Sequence, residues 1–198
     1  MKKFELTSET KINIFGKKLF RIKALISFAD VEAGETGGWV EKEGNVNQSG
    51  DAWVYGNAEV YGNAKVSGNA KVYGNAKVSG NAEVYGNAKV SGNAKVYGNA
   101  EVSGNAWVYG NAEVSGNAEV SGNAEVSGDA DYTTIHGFGT QFRTTTFFRC
   151  KDKKVRVACG CFFGTIPEFR EQVKNTRKGK IAEEYLMIAD LMENHFEK

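Results

Sequence analysis

Proline, histidine and cysteine are scarce in this 198-residue chain, which has one proline, two histidines and three cysteines. An odd number of cysteines, all in the last third, does not fit a disulfide scaffold and favours a reducing compartment. No apolar run reaches the roughly 20 residues that a membrane helix needs. No apolar stretch of signal-peptide length follows the basic start either. We therefore expect a cytoplasmic protein that does not contact a membrane.

An excess of charge of one sign is also missing, because 25 basic residues stand against 24 acidic ones. The net charge of +1 argues against a protein that binds nucleic acid or membranes by electrostatics alone. Residues 38–133 carry 6 basic and 11 acidic side chains, so this segment is a poor track for nucleic acid. The segments on either side of it are basic.

Glycine, in contrast, is abundant and regularly spaced. Of the 24 glycines, sixteen open successive six-residue units from Gly38 to Thr133. Twelve consecutive units, from Gly56 to Ser127, read Gly-Asn-Ala-x-Val-(Tyr/Ser) without interruption. Self-similarity at a fixed period is the signature of a solenoid.

The chemistry of one unit predicts a short strand followed by a corner. Ala and Val lie on one face of an extended segment, while x points to the other face. Glycine adopts positive φ without strain, and asparagine tolerates the left-handed region better than most residues. Three units close a triangle, so residues 38–133 form about five coils and a rod of roughly 25 Å. A core of Ala and Val leaves no interior cavity for a ligand.

The pattern Val-x-Gly-Asn-Ala-x resembles the hexapeptide repeat of left-handed parallel β-helix proteins. The segments Ile26–Gly34 and Gly37–Val40 are also similar to the beginning of hexapeptide-repeat proteins from bacteria and phages. The resemblance implies a mainly β fold with a left-handed, triangular β-helix. Some of these relatives are labelled acyltransferases, which implies an alternative function as an acyl-CoA-dependent enzyme. Phage-borne relatives imply a further role, in which the chain acts on a host complex.

Residues eighteen positions apart stack, so the outward side chains sort into three faces. Face one consists of Trp53, Lys71, Lys89, Trp107 and Glu125. Face two consists of Glu59, Lys77, Lys95, Glu113 and Asp131. Face three consists of Lys65, Glu83, Glu101 and Glu119. Faces one and two each place two lysines on adjacent coils, an arrangement that requires the side chains to splay or an anion to lie across them.

Face one carries the large aromatic residues of the repeat. Because tryptophan and tyrosine are enriched in the cores of interfaces, we predict a surface for a protein partner or for self-association. It comprises Trp53, Tyr55, Tyr73, Trp107 and Tyr109. The alternative is that the aromatic rings stack along neighbouring strands and only stabilise the ladder. With both tryptophans on one side, we predict a homo-oligomer, either a dimer or a trimer.

Two segments without the period bound the repeat. Residues 1–37 are expected to form an N-terminal cap, a β-hairpin around Gly16 that covers the open end of the repeat region. Residues 38–133 form the β-helix itself. Residues 134–198 predict a C-terminal module of two strands and two helices.

The hairpin of the C-terminal module is expected over Gln141–Cys150 and Val155–Phe163. In the expected register Cys159 lies opposite Thr146, and one face of the hairpin gathers basic side chains beside Phe147. These side chains are Arg143, Arg149 and Arg156. This basic face indicates a site that contacts a polyanion such as nucleic acid. The alternatives are that the face is only solvated or that it contacts another subunit.

Two helices are expected after this hairpin. Thr165 as the cap, with Glu168 three residues later, starts the first helix at about Pro167. The second helix begins at about Ile181 and shows heptad-like spacing of apolar residues. The predicted buried residues of the first helix are Ile166, Phe169 and Val173, and the heptad-spaced residues of the second are Ile181, Tyr185, Ile188 and Met192.

Catalytic and metal chemistry receive little support from the side chains present. Cys150, Cys159 and Cys161 lack the second ligand pair of a structural zinc site, so we expect buried core thiols and no metal. Acyltransferases of the resembled fold use a histidine base at a coil edge, but His136 and His195 lie outside the repeat. We predict no cofactor and no catalytic residue, and we interpret the chain as a non-enzymatic scaffold that binds a protein partner or itself. Acyl transfer and polyanion binding stay open as alternatives.

Overall fold

The chain begins with an antiparallel hairpin, as the sequence predicts. In the computed structural model, which describes residues 2–197, β1 (Phe4–Ile12) pairs with β2 (Lys18–Ala24). β2 pairs in turn with β3 (Thr36–Val40), which belongs to the first coil of the repeat. The cap and the repeat region therefore share one continuous sheet.

After the cap, each six-residue unit from Gly50 to Ser127 contributes one strand of two residues, formed by the x and Val positions. The strands are short because the Gly-Asn corner interrupts the extended backbone in every unit. They are β4 (Trp53–Val54), β5 (Glu59–Val60), β6 (Lys65–Val66), β7 (Lys71–Val72), β8 (Lys77–Val78), β9 (Glu83–Val84), β10 (Lys89–Val90), β11 (Lys95–Val96), β12 (Glu101–Val102), β13 (Trp107–Val108), β14 (Glu113–Val114), β15 (Glu119–Val120) and β16 (Glu125–Val126).

Strands eighteen residues apart pair in parallel, so these short strands sort into three sheets. One sheet has the order β4-β7-β10-β13-β16, and a second has the order β6-β9-β12-β15. The third continues the cap in the order β1-β2-β3-β5-β8-β11-β14. The predicted parallel solenoid of about five coils is confirmed.

The interior of the solenoid is filled by the Ala and Val residues of the repeat. Every one of them from Ala52 to Val126 is fully buried. Together they form one continuous apolar cluster that also includes residues from both ends of the chain. Burying a valine side chain contributes about 1.5–3 kcal/mol, so stacking the coils is the main source of stability for the rod.

Glycine forms the corners of the coils because its backbone is left-handed there. The φ angle lies between 56° and 73° at every repeat glycine from Gly50 to Gly122. The corners also pack tightly along the stack. A Cβ built on Gly80 would lie 2.9 Å from the backbone of Gly98, one coil later. Both requirements exclude other residues from the corners between Gly62 and Gly104.

The repeat asparagines do not adopt the left-handed region, contrary to their expected role at the corner. Among residues 2–197, positive φ outside glycine occurs only at Ala29, Phe142 and Lys153. Instead, the Asn side chains form ladders along the stack. In the shortest of these bonds Asn99 Nδ2 donates to Asn117 Oδ1 at 2.9 Å. The ladders are Asn63-Asn81-Asn99-Asn117, Asn69-Asn87-Asn105-Asn123 and Asn75-Asn93-Asn111.

After the solenoid the chain forms an antiparallel sheet of four strands, where the sequence predicts only two. The segment expected to form a single strand over Val155–Phe163 turns at Gly160, whose φ is 59°. In sheet order the strands are β17 (Tyr132–Phe138), β18 (Arg143–Arg149), β19 (Val155–Cys159) and β20 (Phe162–Thr165).

The register of β18 and β19 differs from the expected register by one residue. Thr146 pairs with Ala158 rather than with Cys159. Because side chains alternate along a strand, this shift exchanges the two faces of β19 relative to β18. Phe148 joins the core of the solenoid, and Phe147 packs in the core of the helices.

The two expected helices are α1 (Ile166–Thr176) and α2 (Gly179–Phe196). The Thr165 amide donates to Glu168 Oε2 at 2.7 Å, which completes the predicted capping box. The predicted buried residues of α1 are buried, and of the heptad-spaced residues of α2 all are buried except Ile181, which is half-buried. Within residues 2–197, neither helix has the length and apolar character needed to cross a membrane.

Candidate functional site

The three faces of the solenoid stack in the predicted register. On face one Trp53 pairs with Lys71, and each later residue pairs with the residue eighteen positions further on. Faces two and three follow the same rule. Asp131 departs from it, because it lies in a 3-10 turn over Asp129–Asp131 after the last strand.

Trp53 is not a surface residue, which corrects the expectation that it lies exposed on face one. Its side chain is fully buried. Two rings of the cap pack edge-on against the indole, with centroid distances of 5.8 Å to Phe4 and 5.4 Å to Phe28. The first coil has no preceding coil to cover it, and the cap supplies that cover. A partner can reach Trp53 only by displacing the cap.

Tyr55 is bound to the same cap. Its hydroxyl donates to Asp30 Oδ1 at 3.0 Å, and Lys71 Nζ lies 2.5 Å from the same oxygen. Burial, and then the neighbouring Asp30 carboxylate, raises the pKa of Tyr55. The hydrogen bond from Lys71 lowers the pKa of Asp30. These residues at the start of face one therefore hold the cap in place.

The later coils of face one keep their aromatic side chains partly at the surface. Trp107 Nε1 donates to Ser91 Oγ at 2.9 Å, and its ring lies 4.4 Å from the Tyr109 ring between centroids. The Tyr109 hydroxyl donates to Glu125 Oε1 at 3.1 Å. Tyr73 is half-buried in the same column, two coils before Tyr109. Tyr73, Trp107 and Tyr109 are termed the face-one cluster.

The three arginines predicted to form one basic face do not share a face. The shifted register places Arg156 on the side of the sheet opposite Arg143 and Arg149. Arg149 Nη2 donates to the Phe196 carbonyl at 2.7 Å. Arg156 Nη2 donates to Asp152 Oδ2, also at 2.7 Å. Two of the three guanidinium groups are thus engaged within the chain.

An apolar surface at the tip of the N-terminal hairpin was not predicted from the sequence. Ile12, Ile14 and Phe15 are 65%, 80% and 65% exposed, and are termed the tip patch. The turn is ordered, because Asn13 Oδ1 accepts a hydrogen bond from the Phe15 amide at 3.0 Å. Polar residues are usual in a tight turn. The large apolar residues at this turn were therefore the feature of the sequence that could have indicated the patch.

A groove of about 280 Å³ separates the tip patch from face two. Tyr61 and Tyr97 line it, and the Phe15 ring lies 6.1 Å from the Tyr61 ring between centroids. Lys95 and Glu113 form an ion pair on the same wall. Their hydrogen bond raises the pKa of Lys95 and lowers that of Glu113. The groove therefore combines aromatic surface with charges of both signs.

The side chains considered for catalysis or metal binding lie apart. His136 is exposed, and its Nδ1 lies 3.3 Å from Thr144 Oγ1. No three potential metal ligands of the His, Cys, Asp or Glu type converge within residues 2–197. Cys150 is buried, and burial raises the pKa of its thiol to about 11. Cys159 is half-buried and Cys161 is exposed, so the expectation of three core thiols holds only for the first.

One protein-family model matches a part of the repeat. Residues 94–110 match the family model described as YdcK Beta solenoid repeat. No curated protein matches the chain. The matched residues include β11, β12 and β13, one strand from each of the three sheets. The match and the three parallel sheets together establish that the chain is a β-solenoid repeat protein.

Proposed function

We propose that this chain is a non-enzymatic scaffold that associates with a second copy of itself through the tip patch and the adjoining groove. The exposure of the tip patch carries the proposal, because it presents three large apolar side chains at the end of an ordered hairpin. Large contiguous apolar patches are rare on monomeric proteins and mark contact surfaces. The rigid solenoid holds this surface in a constant position.

The surroundings of the tip patch suit contact between two identical copies. A two-fold contact places the same surface on both partners, so the surface must be complementary to itself. Lys95 and Glu113 supply both signs of charge in the groove. Lys17 and Glu41 supply both signs beside the turn, with 3.1 Å between Lys17 Nζ and Glu41 Oε1. In this contact the tip of each copy enters the groove of the other copy, and the lysines of one copy lie next to the glutamates of the other.

The regularity of the coils supports the non-enzymatic part of the proposal. From β4 to β16 each strand begins six residues after the previous one, so no inserted loop closes over a face. Small apolar side chains fill the interior completely. His136, which follows the coils, contacts a threonine hydroxyl and not a carboxylate that would orient it as a base.

The face-one cluster is a second contact surface in this proposal, suited to a different protein partner. Its rings are half-buried, and the polar ends of Trp107 and Tyr109 bond within the chain. The polar atoms of these two rings already have hydrogen-bond partners within the chain. A partner protein can therefore cover the flat aromatic surface without burying a polar group that lacks a hydrogen bond. The face-one cluster exposes less apolar area than the tip patch, so we rank it second as a contact surface.

Light scattering of the full chain tests the proposal. We expect a mass of twice 21.6 kDa for the wild type and 21.6 kDa for an Ile14→Ser, Phe15→Ser double variant. Met187→Ser with Leu191→Ser is the matched control, because it removes two exposed apolar side chains from α2 instead. A monomeric wild type, or dissociation of the control but not of the tip variant, would overturn the assignment.

A further inference from the structure

A second cavity, of about 260 Å³, lies between the β19–β20 turn and the two helices. It brings together thiols, guanidinium groups and aromatic rings that the proposed scaffold role does not use. The residues that matter here are Cys159, Cys161, Arg143, Arg177, Phe162 and Phe169.

The turn between β19 and β20 presents the two thiols differently. Cys159 pairs with Phe162, so Gly160 and Cys161 form a two-residue hairpin turn. Cys161 is exposed at the mouth of the cavity. Cys159 is half-buried, and its Sγ accepts a hydrogen bond from Thr145 Oγ1 at 3.1 Å. Cys161 is therefore the thiol that a reagent in the cavity reaches first.

Two arginines line the same cavity as the thiols. A Cβ built on Gly160 would collide with the Arg143 guanidinium, which places that group directly against the turn. Arg177 Nη1 donates to the Thr176 carbonyl at 3.3 Å, at the end of α1. The arginines that form salt bridges within residues 2–197 are Arg149, Arg156 and Arg170. Arg143 and Arg177 are not among them, so neither guanidinium is tied to a carboxylate by a salt bridge in this part of the chain.

We propose that Cys161 is a modification site for a small thiol that carries carboxylates, with Arg143 and Arg177 binding those carboxylates. The reagent is the symmetrical disulfide of that thiol. Phe162 and Phe169 provide an apolar wall for its aliphatic part.

The exchange needs no further oxidant. The Cys161 thiolate attacks one sulfur of the small disulfide, forms a new Sγ–S bond and breaks the original S–S bond. One small thiolate leaves and takes up a proton from water. Cys161 is oxidised to a mixed disulfide, and one half of the reagent is reduced to the free thiol.

Kinetics with two disulfides test the proposal on the full chain. Glutathione disulfide is the anionic probe, bis(2-hydroxyethyl) disulfide is the neutral probe, and intact mass with peptide mapping is the readout. We expect the adduct on Cys161, with loss of the adduct in Cys161→Ser and its retention in Cys159→Ser. The rate ratio of anionic to neutral probe should fall about fivefold in an Arg143→Gln, Arg177→Gln variant. Lys151→Gln with Lys154→Gln removes two exposed charges elsewhere and should leave the ratio unchanged.

Three outcomes contradict the proposal. The first is an adduct that maps to Cys159 or to the buried Cys150. The second is a loss of two mass units in place of the adduct, which would show an internal disulfide. The third is a rate ratio that changes equally in the arginine and lysine variants. That result would show that the net charge of the protein, and not the two arginines, determines the preference for the anionic probe.

Discussion

Lys77 and Lys95 pair directly on adjacent coils of face two, yet their ammonium groups turn to opposite ends of the column. Lys77 Nζ lies 4.0 Å from Glu59 Oε2, and Lys95 bonds Glu113 on the following coil. Lys11 of the cap approaches the other Glu59 oxygen at 2.8 Å. The like-charged pair is thus resolved by carboxylates on both sides of it, and no bound anion is needed.

The first prediction concerns the carboxylate between the cap and face two. Glu59→Gln leaves Lys11 and Lys77 facing each other without a counter-charge at a nearly buried position. We expect it to lower the free energy of unfolding by about 2 kcal/mol. Glu113→Gln removes an exposed pair, so its cost should be much smaller. Urea unfolding at low and high salt checks both, and equal losses for the two variants would contradict the interpretation.

The second prediction separates the two reasons for glycine at the corners. Gly80 and Gly116 share a φ of 67°, but a Cβ meets the next coil only at Gly80. We expect Gly116→Ala to cost about 1 kcal/mol for the left-handed backbone. Gly80→Ala should cost at least twice as much, because the neighbouring coil must also move. Thermal unfolding of the matched pair measures the difference, and identical losses would mean that the coils yield without cost.

The third prediction concerns the buried ammonium group of Lys3. Its Nζ donates to the carbonyls of Gly50 and Ala52 at 3.0 and 2.8 Å, and lies 4.8 Å from the centroid of the Phe28 ring. Burial lowers the pKa of Lys3 to about 8, while Asp51 raises it by a smaller amount. In the unfolded chain the pKa is about 10.4.

The sign of the pH effect follows from these two pKa values. Between pH 8 and about 10 the unfolded chain binds more protons at Lys3 than the folded chain, so this residue makes stability rise with pH. Below pH 8 both states are charged and the cost of burial is fully present. The stability of the wild type relative to Lys3→Met should therefore increase from pH 8 to 10, measured by urea unfolding of both chains. A difference that stays constant or falls over this range would show that Lys3 keeps its ordinary pKa.

The fourth prediction concerns the two tryptophans of face one. Trp53→Ala removes a fully buried indole beneath the cap and should cost about 4 kcal/mol. Trp107→Ala removes a half-buried ring and one hydrogen bond, so we expect a loss of about 1–2 kcal/mol. Denaturant unfolding compares the two. Equal losses would mean that the cap does not cover Trp53 in solution.

The repeat region could be predicted in detail because one period determines its register. Stacking at eighteen residues follows from three strand-and-corner units per coil, and the burial of Ala and Val follows from strand alternation. The Asn ladders escaped prediction because they depend on the coil-to-coil distance. A single unit cannot show that its amide lies within hydrogen-bond range of the next one.

The C-terminal register could not be predicted because β18 is buried on both faces. Phe147 packs against the helices and Phe148 against the solenoid, so these adjacent residues are both apolar. Alternation marks register only when one face is polar. The burial of Trp53 was similarly hidden, since it depends on Phe4 and Phe28 from a cap that lacks the repeat.

The position of the contact between copies can be measured directly with one spin label per chain. Lys18→Cys, opposite Ile12 in the hairpin, carries the label in a Cys159→Ser, Cys161→Ser background in which the remaining Cys150 is buried. A label at Lys174→Cys on α1 is the control. We predict a sharp intermolecular distance within about 30 Å at position 18, the width of a standard interface, and a longer one at position 174. No dipolar signal between copies, or the shorter distance at position 174, would contradict the tip patch as the contact surface.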